Sequence, residues 1–503
     1  MKAFLMYTDR DFDREQPLPW NAMDLAQDLE LNHLFAAMSG EDKFLYEIAR
    51  RAVFSSVSDV ATIRYRQAIL ADCLATPNAL LQMYAIAVEA EEGKRGYYWV
   101  TSGRYPSSTL MNAVGLLEFC VGILRKLRKT TDAYQDVFRS SGLQTLCATL
   151  KDELSDEYFD IVEAHLKRLK FRGGALVSAR LGAGNKGVDY VLRRPNHPDR
   201  NWFERLFCGG PDAYSYQLHP RDEAGARVLS NLRDRGLNLV ANAAAQAADH
   251  ILSFLKLLRA ELGFYVACLN LHTKLTEKRE PVCFPDVSEC GARRHWFTGL
   301  YDVSLALTIS DRVVGNDVDA DGSEVVVVTG ANRGGKSVFL RSIGLAQLMT
   351  QCGMFVGAEA FAANTCTGLY THYKREEDAS MKHGKFAEEI SRMSEIAGYL
   401  NPNALMLFNE SFAATNDREG SEIARQIVAA LLEKRVKVFY VTHLYEFARG
   451  LWEEKSHKAT FLRAERQPDG TRTYKLAVGE PLETSYGEDL YNEIFSDAET
   501  QNV

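Results

Sequence analysis

The chain has 503 residues and a formal net charge of −8, with 59 Lys and Arg against 67 Asp and Glu. This length exceeds what one hydrophobic core supports, so two or three domains are expected. A hydrophobic content of 46% and a charged content of 25% are ordinary for globular proteins. The acidic balance excludes an overall basic signature for nucleic acid, so such contacts would require local basic patches or an encircling shape.

The nine cysteines form no Cys-x-x-Cys pair and accompany no His cluster. They indicate neither a disulfide framework nor a metal site, and they fit a reducing cytoplasm. The apolar start of the chain becomes charged at Asp9, which is too early for a signal peptide, and no run of about 18 apolar residues occurs. The sequence therefore predicts a soluble, cytoplasmic protein without membrane spans.

Residues 20–170 are predicted to form successive helices that end in a basic cluster at 166–172, which is either a phosphate contact or a solvated helix end. The composition then shifts at 173–220, where Gly, Pro and alternating segments indicate a small β insertion. Its basic residues make it the best candidate for a nucleic-acid surface, and the alternative is a β element that only connects domains. These residues are Arg180, Lys186, Arg193, Arg194, Arg200 and Arg205.

Residues 222–277 are free of proline and compatible with helix throughout. One unbroken helix of this length would extend about 75–80 Å at 1.5 Å per residue and would act as a lever. The alternative is two packed helices that meet near Gly263. Residues 278–310 lead into the last domain. The predicted domains are a helical core/lever domain, a β-containing connector or clamp-like insertion, long lever helices and a nucleotide-binding domain, at 1–172, 173–220, 221–280 and 281–503 respectively.

A nucleotide-binding P-loop follows the β-branched run 325–329 and precedes a helical pattern. The glycines allow a tight turn whose backbone N–H groups surround phosphate oxygens. Lys336 is suited to reach the β- and γ-phosphates of ATP, and Ser337 offers a hydroxyl to Mg²⁺. The predicted nucleotide-binding residues are Gly330, Ala331, Asn332, Arg333, Gly334, Gly335, Lys336, Ser337 and Val338.

A second predicted strand, 404–408, ends at Asn409 and Glu410, about 70 residues after the P-loop. Asn409 stands where an aspartate usually supports the metal. Its amide can accept a hydrogen bond from a metal-bound water but adds no charge, so weaker Mg²⁺ affinity is expected. Glu410 is the candidate base for the attacking water. The asparagine could equally mark a site that binds nucleotide without useful turnover.

A third predicted strand, 436–442, ends at His443, an imidazole that can sense the γ-phosphate or hold the water. Residues 420–433 between the two strands have the spacing of a crossover helix. This repeated βαβ pattern predicts a mostly parallel sheet covered by helices on both faces. The fold class is therefore multidomain, with an α-helical part that carries a small β insertion and an α/β P-loop NTPase domain.

These motifs together resemble the MutS group of DNA mismatch-repair ATPases, within the ABC-type ATPases. Thr329–Ser337 is similar to the family P-loop, with Asn332 as a specific marker, and 442–447 resembles its Thr-His switch. The segment 351–358 is similar to the strand after the P-loop helix, Thr415 and Asn416 to the loop after the acidic strand, and Ser485-Tyr486-Gly487 to a C-terminal motif. Residues 28–70, with the Arg66-Gln67 pair, look like the start of the core/lever domain. The resemblance is strong over about 310–490.

The resemblance implies a homodimer in which a signature loop of one subunit completes the partner's ATP site. The family signature is Ser-Thr-Phe, whereas the matching place here is Gly384-Lys385-Phe386. Lys385 or the backbone of Gly384 could replace the missing hydroxyl, and the alternative is a solvated basic turn before a helix. The family also has a clamp inserted between its lever helices, which matches 173–220.

A further departure is the wedge that the family uses to read mismatches, a Phe-x-Glu motif in an N-terminal domain for which there is no room before residue 20. The chain thus looks like a shortened relative. The preferred interpretation is an ATP-hydrolysing protein whose dimer closure is coupled to duplex, mismatched or branched DNA in mismatch repair or recombination. The alternative is a nucleotide-switched scaffold that acts on a ribosome or protein complex. A transporter ATPase is disfavoured because the N-terminal helices are too polar to span a membrane.

Overall fold

A computed structural model describes residues 1–95, 105–172, 174–193, 216–375, 384–454, 458–467 and 471–481. The chain divides into two compact units. The first comprises Met1–Ala3, Leu81–Phe138 and Gln144–Arg259, and the second comprises Phe4–Leu80, Arg139–Leu143 and Ala260–Val503. This division follows contacts within the chain, and it groups residues 4–80 with the region that carries the P-loop sequence. The boundaries drawn from the sequence stay predictions.

The described helices and strands follow in chain order. The helices are α1 Ala22–Asp28, α2 Leu31–Ser39, α3 Lys43–Phe54, α4 Val60–Ala75, α5 Pro77–Gly93, α6 Pro106–Tyr134, α7 Ser141–Glu153, α8 Asp156–Leu169, α9 Glu223–Glu277, α10 Val303–Thr308, α11 Lys336–Gln351, α12 Lys385–Tyr399, α13 Asp417–Glu433 and α14 Tyr445–Glu454. The strands are β1 Leu176–Leu181, β2 Gly187–Arg193, β3 Asp286–Ser288, β4 His295–Leu300, β5 Asn316–Asp319, β6 Val325–Gly330, β7 Ala360–Asn364, β8 Leu369–Tyr373, β9 Leu405–Asn409, β10 Lys437–Val441, β11 Ala459–Arg466 and β12 Arg472–Val478.

The second unit is built on a six-stranded sheet in the order β12-β11-β6-β10-β9-β8. All neighbouring pairs are parallel except β11 and β12. Strand β6 lies between β10 and β11 and is buried along its whole length, as its run of four valines requires. The predicted, mostly parallel sheet is therefore confirmed.

The two faces of this sheet are covered differently. One face packs against helices α12, α13 and α14 through a cluster that contains Val325, Val327, Met406, Phe408, Val438 and Tyr440. The alternate residues face α11 and a four-stranded sheet in the order β3-β7-β4-β5. Two contacts show this: Phe439 lies 5.1 Å from His295 between ring centroids, and a Cβ on Gly344 would come within 3.0 Å of Leu407. The P-loop helix is thus fixed between two sheets.

The first unit is mainly helical. Helix α6 packs on α8, and Arg125 donates to Glu163 across that contact at 2.8 Å.

Over its most apolar 18 residues α6 has a mean hydropathy of 1.5, and half of that stretch is buried. Within the described residues α6 passes a length-and-composition test for a membrane span, as does the bent pair α4 and α5. Core helices of soluble proteins pass the same test, so the finding carries little weight.

Helix α9 is one continuous helix of 55 residues, so the alternative of two helices meeting near Gly263 is wrong. Next to it, β1 and β2 form an antiparallel hairpin within the predicted β insertion. Arg180 donates to Asp189 at 2.8 Å and Arg193 donates to Ser178 at 2.9 Å. Of the six basic residues singled out in the insertion, these two therefore have partners in the hairpin, while Arg194, Arg200 and Arg205 lie outside the described residues.

The strand expected at 351–358 is not present. Helix α11 ends at Gln351, and the following residues make only an isolated bridge between Val356 and Cys283. Gly353 has a φ of +79°, and a Cβ there would meet the Cβ of Arg66 at 2.4 Å. This close approach turns the chain away from an extended course before β7 begins at Ala360.

A short N-terminal segment is bound to the buried part of α9 in the second unit. Glu261 accepts hydrogen bonds from the backbone N–H groups of Leu5 at 2.5 Å and Phe12 at 2.8 Å, and the Tyr265 hydroxyl donates to the Leu5 carbonyl at 2.6 Å. Arg66 Nε donates to the Met6 carbonyl at 2.7 Å. Burial raises the pKa of Glu261 to about 7, although the two backbone donors act in the opposite direction.

The Glu261→Gln variant tests this buried carboxyl. Its folded pKa lies above the unfolded value, so the folded wild type binds more protons between about pH 4.5 and pH 7 and loses stability as the pH rises through that interval. The amide does not titrate. We expect the Tm difference, variant minus wild type, to increase by about 2 °C or more between pH 5 and pH 8 in thermal unfolding.

The control is Glu277→Gln, at an exposed position on the same helix, against which the pH dependence of the Glu261→Gln difference is compared. A constant difference for Glu261→Gln would show that the Glu261 carboxyl does not titrate above its ordinary range in the folded protein.

Candidate functional site

Three parallel strands bring the candidate residues to one edge of the main sheet. Val441 pairs with Val328 on one side and with Asn409 on the other, so β6, β9 and β10 end at the same level. The carboxyl ends of parallel strands are where α/β sheets place their ligand sites. The P-loop follows β6, Glu410 follows β9, and His443 lies two residues after β10.

The P-loop turn depends on glycine at two positions. Gly330 has a φ of +104°, and a Cβ there would lie 2.9 Å from the backbone nitrogen of Ala464 in β11. Gly335 has a φ of +85° and is the N-cap of α11, without a side-chain capping bond. The first turn of this 16-residue helix therefore presents backbone N–H groups to a ligand, as an anion site requires.

The Lys336 side chain is buried at the base of the loop. Its Nζ donates to the carbonyl oxygens of Gly330 at 3.0 Å and Ala331 at 2.9 Å. Burial lowers the pKa of Lys336 to about 8, while the negative charge of Glu410 acts in the opposite direction. The ammonium group is thus held by weak carbonyl acceptors, and an anion in the loop would satisfy it better.

Ser337 and Asn409 contact each other across the site. The Ser337 hydroxyl donates to Asn409 Oδ1 at 3.0 Å. Both side chains present the neutral, hard oxygen atoms that Mg²⁺ accepts, and Mg²⁺ keeps several waters, so few protein ligands suffice. Within the described ranges no group of three or more His, Cys, Asp or Glu could hold a metal ion. The donor pair therefore fits a cation shared with phosphate and does not fit an all-protein metal site.

Glu410 and His443 form the titratable pair of the site. His443 Nε2 lies 2.8 Å from Glu410 Oε1. This hydrogen bond is the largest cause that holds the pKa of Glu410 below its ordinary value, and the charge of Lys336 acts in the same direction against partial burial. Glu410 is therefore a carboxylate at neutral pH and able to accept a proton. Its φ of +53° is uncommon for a residue with a side chain.

A cavity of about 610 Å³ lies beside the loop, within the size range of small-molecule sites. The P-loop from Asn332 to Phe339 and Glu410 line one side of it. The other side is lined by residues 300–316 and by Tyr474. The cavity thus joins the polar loop to a wall that carries apolar and aromatic side chains, such as Ile309 and Tyr474, beside charged ones, such as Asp311 and Arg312.

The contribution of β12 to the site was not predicted from the sequence. Tyr474 lines the cavity with a φ of +59°, and Arg472 Nε donates to the Asn332 carbonyl at 3.3 Å. Asn316 ties β12 in place by accepting from the Leu476 N–H at 2.8 Å. The available signal was a Pro-Asp-Gly sequence at 468–470 between two alternating segments, which indicates a hairpin. What the sequence did not reveal is that this hairpin adds to the sheet beside β6.

Gly384 and Lys385 do not line this cavity. Gly384 is the N-cap of α12, and Lys385 is the first residue of that helix, where both are exposed. Lys385 lines a separate small depression with Lys374 and Arg392. Within one chain, the structure therefore does not bring the candidate signature to the P-loop. The preceding residues 381–383 and the Ser485–Gly487 motif lie outside the described residues.

The loop after β9 carries the remaining residues singled out by the resemblance. Asn416 caps α13 by accepting from the Glu419 N–H at 3.0 Å, and Thr415 donates to the Glu419 carboxylate at 2.8 Å. Both residues therefore organise the start of α13, which follows the Glu410 loop.

Comparisons with known proteins find family models that match two regions of this chain. The family model of the MutS2 N-terminal domain matches residues 58–278, and that of MutS domain V matches residues 326–493. The first match falls on the region predicted as core and lever helices. The second includes the P-loop, Glu410 and His443.

Individual relatives agree with these matches. A DNA mismatch repair protein MutS of Porphyromonas gingivalis is 29% identical over 209 residues, which are 38% of this chain and 23% of the relative. The MutS protein homolog 4 of Mus musculus is 28% identical over 196 residues, 38% of this chain and 20% of the relative. An endonuclease MutS2 of Thermus thermophilus is 29% identical over 198 residues, 38% of this chain and 26% of the relative.

The matched part of the chain thus spans about a fifth to a quarter of the length of these curated relatives. The family resemblance noted in the sequence is nevertheless confirmed by two independent domain matches on either side of residue 300. The chain belongs to the MutS family.

Proposed function

We propose that the chain is an ATPase that binds Mg²⁺·ATP at the P-loop cavity and hydrolyses it. The observation that carries this proposal is the convergence of Lys336, the Ser337–Asn409 pair and the Glu410–His443 pair at one edge of the sheet. A cation, a metal-compatible oxygen pair and an ionised carboxylate are the parts that phosphoryl transfer to water requires.

Binding of the triphosphate would change the contacts of Lys336. Its ammonium group would exchange the carbonyl oxygens of Gly330 and Ala331 for β- and γ-phosphate oxygens, which are stronger acceptors because they carry charge. The N–H groups at the start of α11 would receive the remaining phosphate oxygens. The adenosine part would then lie along the wall formed by residues 300–316 and Tyr474.

Hydrolysis needs a water molecule aligned with the γ-phosphate and a group that accepts its proton. The hydrogen bond that Glu410 Oε1 accepts from His443 favours the ionised form of the carboxylate. The same hydrogen bond also orients the carboxylate. The second carboxylate oxygen of Glu410 is then the acceptor for the water. His443 lies two residues after β10, so its position depends on the same sheet that positions the P-loop.

Ser337 and Asn409 would hold Mg²⁺ through the serine hydroxyl and the amide oxygen or a bridging water. The ion would neutralise charge on the β- and γ-phosphates. Because Asn409 supplies a dipole where a carboxylate would supply a full charge, its share of the metal affinity is small. Most of that affinity then comes from the nucleotide phosphates.

We further propose that the protein works as a homodimer on DNA, with Gly384 and Lys385 completing the partner's site. Three observations support this: the exposed, uncapped start of α12, the family membership, and the relatives named for mismatch repair. The alternative is a nucleotide-switched scaffold for a ribosome or protein complex. The net charge of −8 and the internal pairing of Arg180 with Asp189 favour keeping that alternative.

Replacing Glu410 by Gln removes the proton acceptor and keeps the shape of the side chain. We expect ATP to bind as in the wild type and steady-state turnover to fall about 10²-fold or more. Phosphate release and fluorescent-nucleotide binding measure the two effects separately. Wild-type turnover in this variant would remove Glu410 from the mechanism.

Replacing Asn409 by Asp adds a carboxylate beside Ser337 Oγ. We expect the Mg²⁺ concentration that supports half-maximal ATPase activity to fall by roughly tenfold, because one more charged oxygen faces the cation. A magnesium titration at saturating ATP measures it. An Asn409→Ala protein serves as the matched control and is expected to need more Mg²⁺ than the wild type. An unchanged requirement in both variants would place the metal away from residue 409.

Binding to homoduplex, mismatched and branched DNA, each with ATP, ADP or no nucleotide across a salt titration, tests the proposed partner. We expect binding that depends on the nucleotide and weakens with salt, because the contacts would be to phosphates. Absence of DNA binding at low salt in a protein that still binds ATP would contradict the DNA role and favour the scaffold function.

A further inference from the structure

The loop that carries Glu410 has a strained backbone. Glu410 and Phe412 have φ values of +53° and +64°, in a region that residues with side chains rarely occupy. Such a conformation persists only when surrounding contacts determine it. The position of the Glu410 carboxylate therefore depends on what holds residues 410–412.

Buried hydrogen bonds from a helix and from the sheet hold the loop. Glu389 Oε2 accepts from the Phe412 N–H at 2.9 Å. The Tyr440 hydroxyl donates to the Ser411 carbonyl at 2.8 Å, and the Ser411 hydroxyl lies 2.7 Å from His372 Nδ1. Ser411 and Phe412 have no exposed surface, and Glu389 is only 6% exposed. The loop thus has few ways to relax if one of these contacts is lost.

The histidine contact also leads to Glu389. His372 Nε2 lies 2.9 Å from the backbone carbonyl of Glu389, which can only accept a hydrogen bond. Burial lowers the pKa of His372 to about 4, so the ring is neutral at pH 7 and carries its proton on Nε2. The Ser411 hydroxyl, which donates to the backbone carbonyl of His372 at 2.5 Å, lies against Nδ1 of the same residue. Glu389 therefore binds the loop twice, through its carboxylate and through its backbone by way of His372.

Glu389 belongs to helix α12, four residues after its first residue, Lys385. The remaining partners of the loop come from the sheet, since Tyr440 lies in β10 and His372 in β8. The Glu389 carboxylate is consequently the side chain through which α12 fixes the backbone next to Glu410.

We propose that Glu389 is a positioning residue for ATP hydrolysis: its carboxylate, bonded to the Phe412 N–H, holds Glu410 in its left-handed conformation and couples that conformation to the position of α12. The proposal rests on the proposed role of Glu410 as the proton acceptor. Glu389 touches neither the cavity nor the nucleotide site, so it acts only through the loop. A contact at the exposed start of α12 would change hydrolysis by the same route.

The Glu389→Ala variant tests this proposal. We expect kcat to fall roughly ten- to a hundredfold, as displaced catalytic groups commonly cause, with the ATP dissociation constant unchanged within about twofold. Glu389→Gln keeps an acceptor for the Phe412 N–H and is expected to restore most of the turnover. Glu395→Ala, an exposed position on the same helix, is the matched control and should behave as the wild type.

Amide hydrogen exchange of residues 410–412 supplies a readout that does not need turnover. Faster exchange at Phe412 in Glu389→Ala, but not in Glu389→Gln or Glu395→Ala, is the expected result. The Tyr440→Phe variant removes a different contact of the same loop, and it should also lower kcat without changing ATP affinity. This variant keeps the proposal testable if Glu389→Ala does not fold.

Unchanged kcat and unchanged exchange in Glu389→Ala would overturn the proposal, as would a loss of ATP affinity equal to the loss of kcat. Failure of the proposed ATPase function is distinguishable, because the wild type would then show no turnover, or Glu410→Gln would turn over normally. In that event the exchange at Phe412 alone decides whether Glu389 holds the loop.

Discussion

The parallel pairing of β6, β9 and β10 is the constraint on which the site depends. Because Val441 pairs with both Val328 and Asn409, the P-loop, Glu410 and His443 leave the sheet at one level. These residues lie far apart in the chain and belong to different connections. A shift of one residue in either pairing would exchange the two faces of a strand and separate the carboxylate from the lysine. The buried valines of β6 make such a shift unfavourable.

Electrostatics then give the aligned residues their protonation states. Lys336 and Glu410 influence each other: the carboxylate opposes the fall in the pKa of Lys336 that burial causes, and the ammonium group helps to keep Glu410 ionised. His443 adds the largest effect on Glu410 through its hydrogen bond. A triphosphate in the loop would give Lys336 a strong partner of opposite charge.

Much of this arrangement was predictable from sequence because it is local. A pattern within 20 residues marks each of these elements: the P-loop, the two strands that end at Asn409 and at Val441, and the helix at 417–433. The family model of MutS domain V matches the region that contains them. The parts that failed or were missed depend on packing between distant segments. Gly353 turns the chain against Arg66 where a strand was expected, and Tyr474 reaches the cavity only because β12 pairs beyond β11. The Glu389 contact with Phe412 joins a helix to a loop 23 residues away, and no sequence spacing indicates it.

The most direct test of the account is a crystal structure of the protein with Mg²⁺ and a non-hydrolysable ATP analogue. We expect Lys336 Nζ to leave the carbonyl oxygens of Gly330 and Ala331 and to contact the β- and γ-phosphates. We also expect the base to lie beside Tyr474 and a water to lie between the γ-phosphate and Glu410. A nucleotide bound elsewhere, or a Lys336 that keeps its carbonyl contacts with the analogue in the cavity, would contradict the account.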